Sequence, residues 1–155
     1  MNEAILRRVF QALNAHGARY TLFGGLAVGA LGLPRATKDI DLLIQSSPAN
    51  VEAVVAALRS VFADPALDEI TAAEMESYGL IRYGVADFDF VIDLTTRLGE
   101  AVRFETLESA ELTFLGERVP VATPRALVRM KLAAGRPQDL LDVARLRAQF
   151  GEENS

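Results

Sequence analysis

Two aspartates separated by one residue open an apolar segment, in the run Asp39-Ile40-Asp41-Leu42-Leu43-Ile44. If this segment is a β-strand, its side chains alternate between two faces. Both carboxylates then lie on one face, with their Cα atoms about 6.6–6.8 Å apart. Carboxylates at this spacing repel each other unless a cation or a proton separates them. The pair therefore predicts a metal site; the alternative is a polar strand edge with two solvated acids.

A third acid lies in a second alternating segment, which runs from Phe88 to Leu94. Asp93 is flanked there by apolar residues, and burying a carboxylate without a partner is costly, so we predict that Asp93 is the third metal ligand. Asp89 is the competitor, although an acid at the edge of a hairpin needs no functional explanation. Three oxygen ligands suit Mg²⁺, with Mn²⁺ as a substitute, and two such ions stabilise an in-line displacement at phosphorus.

A pair of glycines lies where a short β-prone segment, 19–23, gives way to a short apolar helix, 26–31. Gly24 and Gly25 lack Cβ atoms, so their backbone N–H groups can approach a ligand closely, and the start of a helix favours anions. The pair predicts a phosphate-binding turn. A Gly-Gly pair is more often an ordinary turn, so this prediction depends on the acids downstream.

The elements that must position these residues follow from hydrophobic periodicity and from Gly and Pro punctuation. Helices are predicted over 3–15, 48–62, 124–134 and 137–149, and strands over 19–23, 40–44, 80–83, 88–94, 102–107, 111–115 and 118–122. Residues 64–76 have no clear pattern. The prediction is an α+β fold with a central mixed sheet flanked by helices, in a single domain over 1–150 with a C-terminal tail over 151–155.

Composition excludes several classes of protein. The 155-residue chain has no cysteine, which excludes disulfides and thiolate metal sites, and its net charge of −5 argues against a protein that coats nucleic acid. The segment 125–147 is locally basic, with six basic residues against two acids, so it is either a solvated helical face or a site for phosphates. We expect a cytoplasmic protein, because neither a signal peptide nor a membrane span is apparent.

The glycine turn, thirteen further residues, the Asp-x-Asp pair and a later strand aspartate together resemble the signature of the DNA polymerase β-like nucleotidyltransferase superfamily. This resemblance implies that Asp39, Asp41 and Asp93 are catalytic metal ligands, and that Asp93 also helps to activate the attacking hydroxyl. It implies that Gly24 and Gly25 bind the triphosphate.

A narrower resemblance rests on three segments, 35–41, Thr123-Pro124 and 131–142, which are similar to the AbiEii-type abortive-infection toxin nucleotidyltransferases. That family has a lysine on a C-terminal helix and an Arg/Asp pair beyond it in the active centre. By position these are Lys131, which would be catalytic and bind the nucleotide, and Arg136 and Asp139, which would bind the nucleotide. The resemblance also implies an antitoxin partner and tRNA as acceptor.

Each of these residues has a structural alternative. Lys131 is equally well explained as a surface lysine, and Asp139 in the first turn of a helix complements the helix dipole. Arg35 and Thr37 are expected to line the nucleotide site, but a solvated loop explains them as well.

The predicted function is a metal-dependent transfer of a nucleoside monophosphate from a nucleoside triphosphate to an acceptor hydroxyl. One alternative is a small-molecule nucleotidyltransferase, such as an antibiotic adenylyltransferase, for which the acidic stretch 64–76 would attract a cationic substrate. A second alternative is an inactive nucleotide-binding or partner-binding module, because Gly25 stands where many relatives have serine.

Overall fold

A computed structural model describes residues 2–152. The elements follow the chain as α1 Glu3–Ala15, β1 Tyr20–Phe23, α2 Gly24–Ala30, β2 Asp39–Ile44, α3 Pro48–Val61, a 3₁₀ turn Pro65–Glu69, α4 Ala72–Tyr78, β3 Leu80–Gly84, β4 Val91–Thr95, β5 Arg97–Leu98, β6 Val102–Arg103, β7 Ser109–Phe114, β8 Glu117–Ala122, α5 Pro124–Ala134 and α6 Pro137–Phe150. The α+β prediction is confirmed.

The central sheet has six strands in the order β3-β4-β2-β1-β8-β7. It is mixed, because β2 runs parallel to β4 and β1 runs parallel to β8, whereas the other neighbours are antiparallel. Strands β5 and β6 form a separate two-stranded hairpin. The two strands that carry the predicted metal ligands, β2 and β4, are therefore direct neighbours near the middle of the sheet.

The apolar positions of β2 and β4 form the centre of the core. Ile40, Leu42, Ile92 and Leu94 are completely buried, and helices α1 and α3 pack against each other over the same core. Each such side chain stabilises the fold by roughly 1.5–3 kcal/mol through burial. The strands that hold the acids are thus anchored by their opposite faces.

The helices predicted over 48–62 and 124–134 are present and have capped ends. The Ser47 hydroxyl accepts from the backbone N–H of Asn50, with Pro48 at the first helical position of α3. Thr123 caps α5 in the same way, and Gly135, in the left-handed conformation, ends it. These caps fix where α5 stops and α6 begins, at the edge of the site described below.

Three strand predictions were wrong in extent. Strand β4 begins at Val91 rather than at Phe88, because the chain turns over residues 86–89, where Asp87 has a φ of +67°. Phe88 and Phe90 contact the ring of Phe62, which follows α3. The strand predicted over 102–107 is limited to Val102–Arg103, and that predicted over 111–115 begins at Ser109. The unassigned stretch 64–76 is mostly helical.

The helices of residues 2–152 include none with the length and apolar character of a membrane span. Helix α6 ends at Phe150, and Gly151 and Glu152 follow it. The remainder of the predicted tail, 153–155, lies outside the described residues, so the boundary between domain and tail stays a prediction.

Candidate active site

Two neighbouring parallel strands bring the three predicted acids to one face of the sheet. Asp41 of β2 lies directly opposite Asp93 of β4, and Asp39 lies opposite Val91. Partners in register share a face, so Asp39, Asp41 and Asp93 project together. Asp39 and Asp41 are half-buried, whereas Asp93 is buried.

The proximity of these carboxylates changes their chemistry. Burial, the charges of Asp93 and Asp39, and a hydrogen bond shared with Asp93 together raise the pKa of Asp41 to about 7, and nearby Lys131 only partly opposes this. Burial is the largest cause of this shift, and the neighbouring carboxylates add to it because each disfavours a second negative charge. Such a site favours a cation.

Asp93 already has a cationic partner within the protein. Arg82 of β3 donates from Nε to Oδ1 at 2.9 Å and from Nη2 to Oδ2 at 3.0 Å. Within residues 2–152, no group of three acidic, histidine or cysteine side chains is preassembled to hold a metal ion. The donor set still fits Mg²⁺, which takes one or two carboxylates and completes its shell with water and phosphate oxygens.

Asp89, the competing third acid, does not join this cluster. It lies in the turn before β4, its side chain is 84% exposed, and it pairs with Lys38 at 3.0 Å. The ordinary explanation of Asp89, as an acid at the edge of a hairpin, is the one that the geometry supports.

The glycine turn contacts the acid cluster directly. Gly24 has a φ of +72°, and a Cβ built on it would lie 2.2 Å from Oδ2 of Asp41. A Cβ on Gly25 would lie 3.3 Å from the guanidinium of Arg35. The sequence predicted close approach of a ligand to these glycines. The structure adds a second reason for Gly24, because the left-handed conformation and the carboxylate of Asp41 both disfavour a side chain there.

Lys131 is not a surface lysine. Its side chain is only 7% exposed, and Nζ lies 2.9 Å from Oδ2 of Asp142 and 3.8 Å from Oδ1 of Asp139. Asp142 is completely buried and also accepts from Arg35 Nε, at 3.2 Å to each oxygen, and from Gln138 Nε2 at 3.1 Å. Burial favours a raised pKa for Asp142, but the hydrogen bonds and charge of Lys131, with those of Gln138 and Arg35, hold its pKa below the usual range.

Sequence reasoning did not assign Asp142 a role. The signal that could have found it is the spacing of Asp139 and Asp142, three residues apart on α6, which puts both acids on one face of that helix. The structure directs this face at Lys131 of α5.

Arg136 and Asp139 form the junction between α5 and α6. The carboxylate of Asp139 accepts from the backbone N–H and the side chain of Arg136, with Nε 2.6 Å from Oδ2. These hydrogen bonds hold the pKa of Asp139 below its usual value. Asp139 therefore lies in the first turn of α6, where its charge complements the helix dipole, and it also forms a capping box that holds Arg136 at the rim of the cavity described next.

A cavity of about 610 Å³ joins these parts. Its lining includes every predicted nucleotide-binding residue and two of the predicted metal ligands, namely Gly24, Gly25, Arg35, Thr37, Asp39, Asp41, Lys131, Arg136 and Asp139. Asp93 is not one of the lining residues of this cavity. It is connected to the cavity through Asp41, with which it interacts. Thr37 also accepts from the backbone N–H of Asp39 at 3.2 Å and so fixes the start of β2.

The rest of the lining, apart from Gly99 and Gln138, is apolar and was not predicted. Leu98 and Val102 come from the β5–β6 hairpin, and Leu127, Met130, Ala133 and Ala134 come from α5. An apolar pocket with a few convergent polar groups is the usual form of a small-molecule site.

The acidic and basic segments have different places in the fold. In the acidic stretch, Asp64 accepts from Tyr83 and Asp68 pairs with Arg59, while Glu69 and Glu74 border a separate pocket. The basic segment 125–147 is partly internal, because Lys131 is buried within it. The acidic stretch is largely solvated, because Asp68, Glu69, Glu74 and Glu76 are exposed.

Comparison with known proteins identifies the family. The sequence model of a family described as nucleotidyl transferase AbiEii toxin, Type IV TA system, matches residues 5–155. The chain belongs to the AbiEii family of nucleotidyltransferases. The resemblance predicted from the Asp-x-Asp pair and the Lys131 segment is therefore confirmed at the level of the AbiEii family. A search of curated proteins found no match.

Solved nucleotidyltransferases share the fold of this AbiEii-family chain. The structure of ANT(2″)-Ia in complex with adenylyl-2″-tobramycin matches with a TM-score of 0.59 and 16% identity, over 97% of this chain and 90% of that one. The lincosamide antibiotic adenylyltransferase LnuA, lincomycin-bound, matches with a TM-score of 0.58 and 13% identity, over 95% and 97%. An antigenic nucleotidyltransferase-like protein from Paracoccidioides brasiliensis matches with a TM-score of 0.57 and 18% identity, over 95% and 75%. At these identities the likeness concerns the fold alone.

Proposed function

We propose that this protein transfers a nucleoside monophosphate from a nucleoside triphosphate to an acceptor hydroxyl, using divalent metal ions. The observation that carries the proposal is the position of Asp41, which faces Asp93 across β2 and β4 and contacts the Gly24 turn at the cavity that Lys131 also lines. Phosphoryl-type transfer needs mainly positioning and charge neutralisation, and this arrangement offers both.

The acids would hold the metal. Asp39 and Asp41 would bind Mg²⁺, or Mn²⁺ in its place, and Asp93 would complete the set of protein ligands. The bound ion supplies neutralisation of the charge that develops on the phosphates during the displacement. This assignment agrees with the charges of Asp93 and Asp39, which add to burial in raising the pKa of Asp41. Nucleotidyltransferases of this superfamily generally use divalent metals.

The remaining polar residues would hold the nucleotide. The backbone N–H groups of Gly24 and Gly25 can approach phosphate oxygens closely, and Lys131 offers a point charge to the triphosphate. Arg35, Thr37 and the Arg136–Asp139 pair would border the nucleotide from the other lining elements. Leu98 and Met130 offer apolar surface suited to a base.

The reaction exchanges one phosphorus–oxygen bond for another. The acceptor oxygen forms a bond to the α-phosphorus, and the bond from that phosphorus to the oxygen bridging to the β-phosphate breaks. Pyrophosphate leaves with that oxygen, and the acceptor proton passes to the carboxylate of Asp93. The site therefore needs an open approach beside Asp93, and Arg82, whose side chain is 62% exposed, lies on that side.

For the acceptor we propose tRNA, with the protein acting as the toxin of a toxin–antitoxin pair in the cytoplasm, where nucleoside triphosphates are available. The family description supports the pairing with an antitoxin. The small-molecule alternative draws less support, because Glu69 and Glu74 of the acidic stretch border a different pocket from the one that Asp41 lines.

The test is an assay of labelled nucleoside triphosphates with Mg²⁺ and tRNA. We expect pyrophosphate release, label in the tRNA, and tRNA binding that weakens as salt is raised, because phosphate contacts release counterions. Chelation of the metal with EDTA should stop the reaction. Thermal stabilisation by nucleotide and metal without any product would favour the inactive module, and absence of tRNA binding at low salt would contradict the tRNA assignment.

A further inference from the structure

The third carboxylate of the site is held by an arginine on the neighbouring strand. Arg82 of β3 lies directly opposite Asp93 of β4 in the antiparallel register. The guanidinium of Arg82 donates from Nε to Oδ1 of Asp93 at 2.9 Å and from Nη2 to Oδ2 at 3.0 Å. Two parallel hydrogen bonds from one guanidinium to one carboxylate form one of the strongest ion-pair geometries in proteins. Each oxygen of Asp93 therefore has a cationic partner in this structure.

The burial of the two partners is unequal. The Asp93 side chain is 7% exposed, whereas that of Arg82 is 62% exposed. The hydrogen bond with Asp93 and the charges of Asp93, Asp39 and Asp41 all raise the pKa of Arg82, so this arginine interacts with the whole acid cluster. Since most of the Arg82 side chain is already exposed to water, moving its guanidinium away from Asp93 removes few packing contacts.

We propose that Arg82 is a positioning residue that holds Asp93 while no metal is bound and yields at least one of its oxygens to the metal–nucleotide complex. This inference rests on the proposed function, in which Asp93 is a metal ligand. Without a cation the three carboxylates repel each other, and Arg82 offsets that repulsion, so that the strands keep their register. The metal must then compete with Arg82 for Asp93.

This competition has a measurable consequence. The free enzyme is mostly in a state in which Asp93 is occupied, so its apparent affinity for metal is reduced by the fraction in which Asp93 is free. A nucleoside triphosphate brings phosphate ligands of its own, which makes displacement of Arg82 easier.

The experiment measures protein-bound Mn²⁺ by equilibrium dialysis, with and without a non-hydrolysable triphosphate. The triphosphate also chelates Mn²⁺, so it is present on both sides of the membrane, and the excess of Mn²⁺ on the protein side is the bound metal. Arg82→Gln should bind Mn²⁺ about tenfold more tightly than wild type without nucleotide, the size expected when a charge-assisted hydrogen bond stops competing. Arg82→Lys keeps the charge but cannot engage both oxygens, so it should also bind more tightly than wild type.

The matched control is Arg59→Gln, which removes the same charge from a surface pair with Asp68. Its Mn²⁺ affinity should equal that of wild type. Unchanged or weaker Mn²⁺ binding by Arg82→Gln, or a wild-type affinity in Arg82→Lys, would overturn the inference while leaving the proposed function intact. If wild type and Arg82→Gln both fail to bind Mn²⁺ even with the triphosphate, the proposed function fails as well.

Discussion

Asp39→Ala and Asp41→Ala should each lower the rate of pyrophosphate release by roughly 1,000-fold, the effect expected when a group that stabilises transition-state charge is removed. Both side chains are only half-buried, and Asp41 bears an unfavourable charge environment. Their removal should therefore leave the fold intact or slightly more stable. The rates are measured with labelled triphosphate and the acceptor, and folding is checked by thermal melting.

Substitution of Gly24 should reproduce this loss of pyrophosphate release, although neither aspartate is replaced. Gly24→Ala would place a methyl group 2.2 Å from Oδ2 of Asp41 and would hold alanine at a φ of +72°, a conformation that costs about 1–2 kcal/mol. Asp41 must move, and a displacement of about 1 Å at a catalytic group can cost 100-fold. Gly29→Ala is the matched control, because a Cβ there meets no atom within 4 Å.

Near wild-type turnover by Asp39→Ala and Asp41→Ala would defeat the catalytic assignment.

Asp142→Ala should be the most damaging of these substitutions to stability, costing about 3–5 kcal/mol in the free energy of unfolding. Asp142 is completely buried and accepts from Lys131, Arg35 and Gln138. Its removal leaves Asp139, at 3.8 Å, as the acid that remains within ion-pair distance of the buried Lys131 ammonium among residues 2–152. An uncompensated cation in the interior is the cause of the loss, and urea denaturation followed by circular dichroism measures it.

The control for Asp142 is Asp68→Ala, which removes an acid whose side chain is 66% exposed and paired with Arg59. Its cost should stay within about 0.5 kcal/mol, as for most surface substitutions. Asp142→Asn separates charge from shape, because it keeps the volume but weakens the interaction with Lys131. It should lose less stability than Asp142→Ala. If Asp142→Ala costs no more than Asp68→Ala, the buried charge network does not stabilise this protein.

The alternation of side chains along β2 was enough to predict that Asp39 and Asp41 share a face, whereas along 88–94 it was valid for Asp93 but not for Asp89, which lies in a turn. Ile40 and Ile92 identify the buried face, and Asp41 and Asp93 follow from them on the other. The sequence could not predict that β4 lies beside β2 with Asp41 opposite Asp93, because pairing between strands fifty residues apart depends on tertiary packing.

The roles of Arg82 and Asp142 were missed for the same physical reason. Each becomes significant through a partner distant in sequence or on another element, Arg82 through Asp93 and Asp142 through Lys131 and Arg35. Local patterns do not encode such contacts. The prediction of a strand from Phe88 failed because the chain turns there. Asp87 has a φ of +67°, and the backbone N–H of Phe88 donates to the carbonyl of Val85.

The most direct test of the central claim is a crystal structure with a non-hydrolysable nucleoside triphosphate and Mn²⁺, in which anomalous scattering locates the metal. We predict an anomalous peak bonded to carboxylate oxygens of Asp39 and Asp41, with the phosphates against the backbone of Gly24 and beside Lys131. A triphosphate bound elsewhere, or a metal that none of Asp39, Asp41 and Asp93 contacts, would contradict the account.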